Sequence, residues 1–177
     1  MARVDRALHR IQRWDRSVCA SVHGALRGHP MLWVFRAASR LGDGVFWYAL
    51  MLWLLLEHRG GALLPVLHMV FAGLVCTATY KMVKRGTGRL RPFEAEAGIA
   101  ALVAPLDRYS FPSGHTLHAV GFSLVACAYY PRFAWLLGPF TLLVAASRIA
   151  LGLHYPSDVL AGAALGALIA GASFTIG

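Results

Sequence analysis

The chain has 177 residues, the size of a single domain. Hydrophobic residues make up 58% of it and charged residues only 14%, so it is too apolar for an ordinary soluble protein. The net charge of +9 comes from Lys and Arg at the ends of apolar segments, not in a stripe interleaved with aromatics, which disfavours a nucleic-acid-binding protein. The cysteines, Cys19, Cys76 and Cys127, are scattered and form neither a disulfide framework nor a metal-binding pattern.

Residues 3–26 have the pattern of an amphipathic helix. The apolar face consists of Val4, Leu8, Ile11, Val18 and Val22, and the cationic face of Arg3, Arg6, Arg10, Arg13 and Arg16. This pattern is typical of a helix in a membrane interface, and a helix packed on its own domain would also show it; the two arrangements are compatible. The next apolar segment, 31–41, is too short to cross a bilayer and contains Arg36 and Arg40. We therefore predict that residues 1–42 form an amphipathic interfacial region.

Five apolar segments follow, and we predict that each one spans the membrane. They are residues 43–57, 62–83, 115–130, 133–146 and 156–176. A helix needs roughly 20 residues to cross a bilayer, or a few fewer where aromatic and charged residues anchor its ends. In the last segment Gly162, Gly166 and Ala170 recur every four residues, a stripe of small side chains that allows close helix contact. The predicted fold class is therefore all-α, with residues 43–177 forming a polytopic membrane helix bundle of about five transmembrane helices.

Three polar stretches join these segments, and the alternating direction of the spans places all three on one face of the membrane. They are residues 84–92, 109–115 and 147–158. They contain three cations that are suited to neutralise a dianionic phosphate, Lys84, Arg91 and Arg148. Ser113 and Gly114 open a helix, where free backbone N–H groups favour an anion. This combination indicates a phosphate-binding site.

The same stretches contain two histidines and an aspartate. Pro156 suits the first turn of a helix, so Asp158 lies in that turn and His154 just before it. A carboxylate four residues after a histidine can hold one ring nitrogen and leave the other free. His115 opens the third span on the same membrane face, so the two histidines can supply a nucleophile and an acid. The alternative is that these residues only cap helices, and the convergence of the three stretches argues against it.

The three stretches resemble the signature of the type 2 phosphatidic acid phosphatase superfamily over about residues 45–177. The matching motifs are Lys84-x6-Arg91-Pro92, Pro112-Ser113-Gly114-His115 and Ser147-Arg148-x5-His154-x3-Asp158. The resemblance implies that His154 attacks phosphorus and becomes a phosphohistidine, that Asp158 orients His154, and that His115 protonates the leaving alkoxide. It implies that the phosphoryl oxygens are held by Lys84, Arg91, Ser113, Gly114 and Arg148. It implies no metal or other cofactor, and the acidic residues Glu94, Glu96 and Asp107 lack a recognised metal-ligand spacing.

The function implied by this resemblance is hydrolysis of a phosphate or diphosphate ester on a membrane lipid. Phosphatidate, phosphatidylglycerol phosphate, polyprenyl phosphates or diphosphates, and lipid A are the substrate classes of the family, and the choice among them stays open. The expected partners are this lipid and the bilayer, with no nucleic acid, and the oligomeric state stays open. A lipid phosphotransferase would use the same residues. The predicted spans argue against a vanadate-dependent haloperoxidase, and His115, His154 and Asp158 argue against a non-catalytic lipid-binding protein.

The distribution of charge gives an expectation for the orientation in the membrane. Residues 1–42 contain eight Arg against Asp5 and Asp15, and the predicted spans place them on the same face as the polar stretches. The opposite face has little more than Arg59 and Arg132. The positive-inside rule therefore favours a bacterial plasma-membrane protein with its polar stretches on the cytoplasmic face, although the outer face is expected for many bacterial members of the family.

Overall fold

The structure, a computed structural model, describes residues 2–175, without the side chains of residues 2–4 and 59. It consists of apolar helices joined by short polar connections. The helices are α1 (Ala2–Leu26), α2 (Leu32–Arg40), α3 (Phe46–His58), α4 (Leu63–Thr87), α5 (Pro92–Ala95), α6 (Gly114–Tyr129), α7 (Ala134–Ala150) and α8 (Pro156–Ser173). Short helical turns, Leu41–Val45, Arg59–Ala62 and Pro131–Phe133, lead into α3, α4 and α7. Residues 2–175 contain no β-strand, which confirms the predicted all-α fold class.

Among residues 2–175, three helical stretches are long and apolar enough to cross a membrane: Gly60–Ala95, Pro131–Ala150 and Pro156–Ser173. They include α4, α7 and α8, which correspond to the second, fourth and fifth predicted spans. The other two predicted spans correspond to α3 and α6, which have 13 and 16 residues and are shorter than the roughly 20 residues that a bilayer core requires. The predicted end of the last span, Ile176, lies outside the described residues.

The second predicted span ends at residue 83, but the helix continues for another turn. Helix α4 reaches Thr87 and is ended by Gly88, which has the left-handed backbone conformation (φ 58°) that favours glycine. The extra turn includes Lys84, so this cation projects from a rigid helix and not from a loop.

Helix α6 lies at the centre of the bundle, against α4, α7 and α8. Its contact with α8 is close because glycines of α8 face α6. A Cβ added to Gly162 would lie 2.5 Å from the carbonyl oxygen of Ser113, and a Cβ added to Gly166 would lie 2.4 Å from the carbonyl oxygen of Leu117. The predicted close contact along the small-residue stripe is confirmed at these two glycines. It brings the first turns of α6 and α8 together, and the Ser113 N–H donates to the carbonyl oxygen of Asp158 at 3.0 Å.

Large apolar side chains lie both inside the bundle and on its outer surface. Trp47, Leu54, Met69 and Leu137 are buried in the main core. The exposed set includes Leu52, Leu56, Leu64, Leu74, Trp135, Leu142, Leu160 and Leu168. An apolar outer surface of this extent requires lipid around it, so the bundle is an integral membrane protein.

Helix α1 packs on α7 and α8 through a stripe that is not its apolar face. The buried residues are Asp15, Cys19 and His23, which recur every four residues and so share one side of the helix. Leu8 and Ile11 remain exposed, and Val4 lies among the side chains that are not described. The helix therefore does pack on its own domain, while the predicted apolar face stays available at Leu8 and Ile11 for the membrane interface.

Candidate active site

The three polar stretches meet around a cavity of about 640 Å³ that opens between α3, α4 and α6. Six of the eight predicted site residues line this cavity: Lys84, Arg91, Gly114, His115, Arg148 and His154. The other two, Ser113 and Asp158, are fully buried behind it. The structure thus brings together all of the residues that the motifs single out.

His154 lies in the loop between α7 and α8, and only 1% of it is exposed. Its Nε2 is 3.3 Å from Nη1 of Arg91, and its Nδ1 is 3.7 Å from Oδ2 of Asp158. Burial, together with the nearby Arg148 and Arg91 guanidinium groups, holds the pKa of His154 well below its usual range. The imidazole is therefore neutral near pH 7, which is the form that can act as a nucleophile.

Asp158 is anchored through both of its carboxylate oxygens. Oδ2 accepts a hydrogen bond from the backbone N–H of Tyr155 at 2.8 Å and so caps the first turn of α8. Oδ1 accepts from Nη1 of Arg89 at 2.6 Å. The carboxylate faces Nδ1 of His154 but is longer than hydrogen-bond distance from it, so its influence on the imidazole in this structure is mainly electrostatic.

Two of the three cations hold the same carboxylate, that of Asp107. Lys84 donates to both Oδ1 and Oδ2 of Asp107, at 2.7 and 2.8 Å, and also to the carbonyl oxygen of Tyr109. Arg91 donates to Oδ1 at 2.7 Å through Nη2. Asp107 also lines the cavity, so a bound phosphate would compete with it for these donors.

Arg148 is the third cation, near the end of α7 and only 2% exposed. Its Nη1 donates to the hydroxyl of Ser39 in α2. Its Nε is buried and makes no hydrogen bond to any other described residue. A buried donor without a partner beside a cavity is a position where an anionic oxygen can bind.

Ser113 and Gly114 have different places at the start of α6. The Ser113 hydroxyl is fully buried and caps the helix by accepting from the backbone N–H of Thr116. Ser113 is not part of the cavity wall in this structure, whereas Gly114 is. Ser113 therefore orients the helix N-terminus, and the backbone beside Gly114 is the part that an anion can approach.

His115 contacts a carboxylate that lies outside the three motifs. Its Nε2 pairs with Oδ1 of Asp43, in the turn between α2 and α3. Asp43 is flanked by Gly42 and Gly44, and Gly44 has a φ of 129° that a side chain rarely permits. The sequence signal for Asp43 is a single acidic residue between two glycines, on the same membrane face as the motifs.

Comparison with known proteins agrees with the motifs. The family model of the PAP2 superfamily matches residues 61–177. The chain is 34% identical over 168 residues to decaprenylphosphoryl-5-phosphoribose phosphatase of Mycobacterium tuberculosis, covering 90% of this chain and 89% of that protein. It is also 33% identical over 103 residues to lipid A 1-phosphatase of Rhizobium johnstonii, covering 56% of this chain but only 41% of the relative's length.

A solved structure has the same fold. It is the first transmembrane PAP2-type phosphatidylglycerolphosphate phosphatase from Bacillus subtilis, which superimposes with a TM-score of 0.76 over 94% of this chain and 85% of that one, at 23% identity. This likeness shows the transmembrane helix bundle, and the family model and the mycobacterial relative show the family. The chain therefore belongs to the PAP2 superfamily, the type 2 phosphatidic acid phosphatase superfamily that its three motifs resemble.

Proposed function

We propose that the protein hydrolyses a phosphate or diphosphate ester on a membrane lipid through a phosphohistidine intermediate on His154. The observation that carries the proposal is the position of His154, a buried neutral imidazole whose Nε2 faces Arg91 in a cavity that Lys84 and Arg148 also line. The relatives support hydrolysis of a lipid-linked phosphate ester, because both of those described above are named as phosphatases of such substrates.

In the first step Nε2 of His154 attacks phosphorus, and the bond from phosphorus to the lipid oxygen breaks. Lys84, Arg91 and Arg148 stabilise the negative charge on the phosphoryl oxygens, together with the N–H groups at the start of α6. His115 donates its proton to the leaving alkoxide, and Asp43 stabilises the protonated imidazole before that transfer.

In the second step a water molecule attacks the phosphohistidine. His115, now neutral, accepts the proton of that water, and His154 leaves as a neutral imidazole. Asp158 lies behind Nδ1 and stabilises the positive charge that His154 carries while it is phosphorylated.

A lipid substrate fits the cavity because its walls change from polar to apolar. Near the cations the lining residues are polar, whereas Trp47 and Met51 of α3, Val70 and Leu74 of α4, and Phe122 of α6 line its other part. A headgroup phosphate can therefore lie near His154 while the hydrocarbon chain extends between α3 and α4. Decaprenylphosphoryl-5-phosphoribose and lipid A, the lipids for which the two relatives are named, both combine a phosphate with hydrocarbon chains.

We also propose a location in the bacterial plasma membrane with the cavity on the cytoplasmic face. Helix α1 lies on the same side of the bundle as the loop that contains His154 and the start of α8, because Cys19 and Asp15 of α1 contact the backbone of His154 and Ser157. The Arg-rich residues 1–42 therefore add to the positive charge of that face, with Leu8 and Ile11 free to enter the lipid.

The proposed function is tested with the purified protein in detergent, assayed for phosphate release from a panel of lipid phosphates and diphosphates in the presence of EDTA. We expect release from at least one lipid, undiminished by the chelator and inhibited by orthovanadate, which adopts the five-coordinate geometry of the transition state. Release that requires added Mg²⁺, or no release from any lipid of the panel, would contradict the proposal. Transfer of phosphate to an added lipid alcohol in place of release would identify a phosphotransferase.

A further inference from the structure

We propose that Asp15 of α1 is a positioning residue of the active site, which acts on Asp158 through the shared guanidinium group of Arg89. This inference rests on the proposed function, because it assigns a role in the chemistry of His154. It makes the N-terminal helix a working part of the catalytic site, in addition to any role at the membrane interface.

The first observation is the burial of Asp15 in a helix that is otherwise rich in Arg. Asp15 is fully buried, although acidic side chains are almost never fully buried unless they are paired. Its Oδ2 accepts from Nη2 of Arg89 at 2.6 Å and from the hydroxyl of Ser157 at 2.5 Å. Its Oδ1 accepts from the backbone N–H of Ser157 at 2.9 Å, which satisfies a free donor in the first turn of α8.

Arg89 connects this carboxylate to the catalytic one. Its Nη2 binds Asp15, while its Nη1 donates to Oδ1 of Asp158 at 2.6 Å and to the Ser157 hydroxyl at 2.7 Å. The guanidinium group also lies over the ring of Tyr155, 4.2 Å from its centroid. Arg89 is thus held on several sides, so its orientation and that of Asp158 are coupled.

Asp15 reaches the first turn of α8 by a second route. Ser157, which binds Asp15 through both its N–H and its hydroxyl, is the residue immediately before Asp158. Helix α1 therefore fixes the turn that carries Asp158 through the backbone as well as through Arg89. A shift in either contact would alter the distance from Asp158 to Nδ1 of His154, which is 3.7 Å.

The summed charge of Asp15, Arg89 and Asp158 affects the stability of a phosphorylated His154. Two carboxylates and one guanidinium leave a net charge of −1 behind His154, whereas Arg89 with Asp158 alone would be neutral. The surviving negative charge stabilises the positive imidazole ring that forms when His154 is phosphorylated. Arg89 alone would neutralise the charge of Asp158. With Asp15 also present, the group of three side chains keeps a net negative charge.

The test compares Asp15→Asn with Arg16→Gln in the full-length protein. Arg16 is the neighbouring residue on α1 and pairs with Glu96, but its side chain is 62% exposed and is not bonded to Arg89, Ser157 or Asp158. For Asp15→Asn we expect kcat to fall at least about tenfold, with KM within about twofold of wild type, because the charge acts in the transition state and not in substrate binding. Arg16→Gln should keep both constants within about twofold, since exposed ion pairs contribute little.

Four results would decide against the inference. A kcat for Asp15→Asn that equals that of Arg16→Gln would overturn it while the proposed function stands, and so would a loss confined to KM. If Asp15→Asn does not fold, Arg89→Lys decides: it keeps the positive charge but loses the two-pronged contact, so an unchanged kcat would overturn the inference and a loss of about tenfold would support it. A wild-type protein that releases no phosphate from any lipid would overturn the proposed function, and this inference with it.

Discussion

Nη1 of Arg91 lies 3.3 Å from Nε2 of His154 and donates to the carbonyl oxygen of Leu153 at 2.8 Å. Because a guanidinium group only donates hydrogen bonds, Nε2 must be the unprotonated nitrogen of the imidazole, and the proton lies on Nδ1, toward Asp158. The nitrogen with the free electron pair thus faces the cation that would hold the phosphate. In the proposed mechanism Arg91 would therefore both contact the phosphoryl group and hold His154 in the reactive tautomer.

The role of His115 as an acid predicts that its replacement matters most for poor leaving groups. His115→Asn should slow the release of phosphate from a lipid by about 100-fold or more, because an alkoxide leaves poorly without a proton. With nitrophenyl phosphate the loss should be only a few-fold, since a nitrophenolate leaves unaided. The measurement is kcat/KM on both substrates, and Asp43→Asn should show the same pattern to a smaller extent. Equal losses on both substrates would count against the assignment.

Replacing Asp107 should change the affinity for phosphate in the opposite direction to replacing one of the cations that it binds. Asp107→Asn removes the charge that competes with phosphate for Lys84 and Arg91, so inorganic phosphate should inhibit more strongly, by about fivefold for a gain of about 1 kcal/mol. The matched variant Lys84→Met should weaken inhibition. If Asp107→Asn instead raises the inhibition constant, the carboxylate orients the cations and does not compete with the phosphate.

The depressed pKa of His154 predicts a contribution to the pH dependence of stability. Below about pH 6.5 the unfolded chain protonates this histidine, whereas burial and the nearby cations keep it neutral in the folded protein. The unfolded state then binds more protons, so stability falls as the pH falls below about 6.5 and continues to fall until the much lower folded pKa is reached. We expect the thermal unfolding temperature in detergent to drop less between pH 7.5 and 5.5 for His154→Gln than for wild type. An equal drop for the two proteins would contradict this contribution.

The proposed orientation predicts which side of the membrane a reagent must reach. In a variant whose native cysteines Cys19, Cys76 and Cys127 are replaced, single cysteines are added as Arg10→Cys or Ala97→Cys. Both positions are exposed, and they report on α1 and on the loop before α6. A membrane-impermeant thiol reagent should label neither in intact cells and both after lysis, as expected for the cytoplasmic face. Labelling of both in intact cells would place the site on the outer face.

The motif residues could be predicted from sequence because their separations along the chain are short and fixed by helix geometry. Pro156 opens α8, so Asp158 must lie in its first turn, beside His154. The spans then bring the motifs to one face, since consecutive helices run in opposite directions. The glycines of α8 are likewise predictable, because their four-residue repeat allows close contact with α6.

The contacts that support these residues depend on tertiary packing that no local pattern specifies. Asp43 and Asp107 come from connections whose backbone path is set only when the bundle is assembled. In the sequence Asp15 is one of two acidic residues among the eight Arg of residues 1–42, and the apolar repeat dominates the pattern of α1. The four-residue recurrence of Asp15, Cys19 and His23 is the weaker signal that identifies the side of α1 facing the bundle.

The central claim, that His154 is the nucleophile, is tested most directly by trapping the intermediate in a single turnover. The protein in detergent is mixed with a lipid phosphate labelled with ³²P, quenched rapidly in alkali, and examined for phosphate bound to the protein. We predict a transient label that is stable in alkali and lost in acid, as expected of a phosphohistidine, that maps to the peptide containing His154 and is absent in His154→Gln. A label on another residue, or phosphate release by His154→Gln at the wild-type rate, would contradict the account.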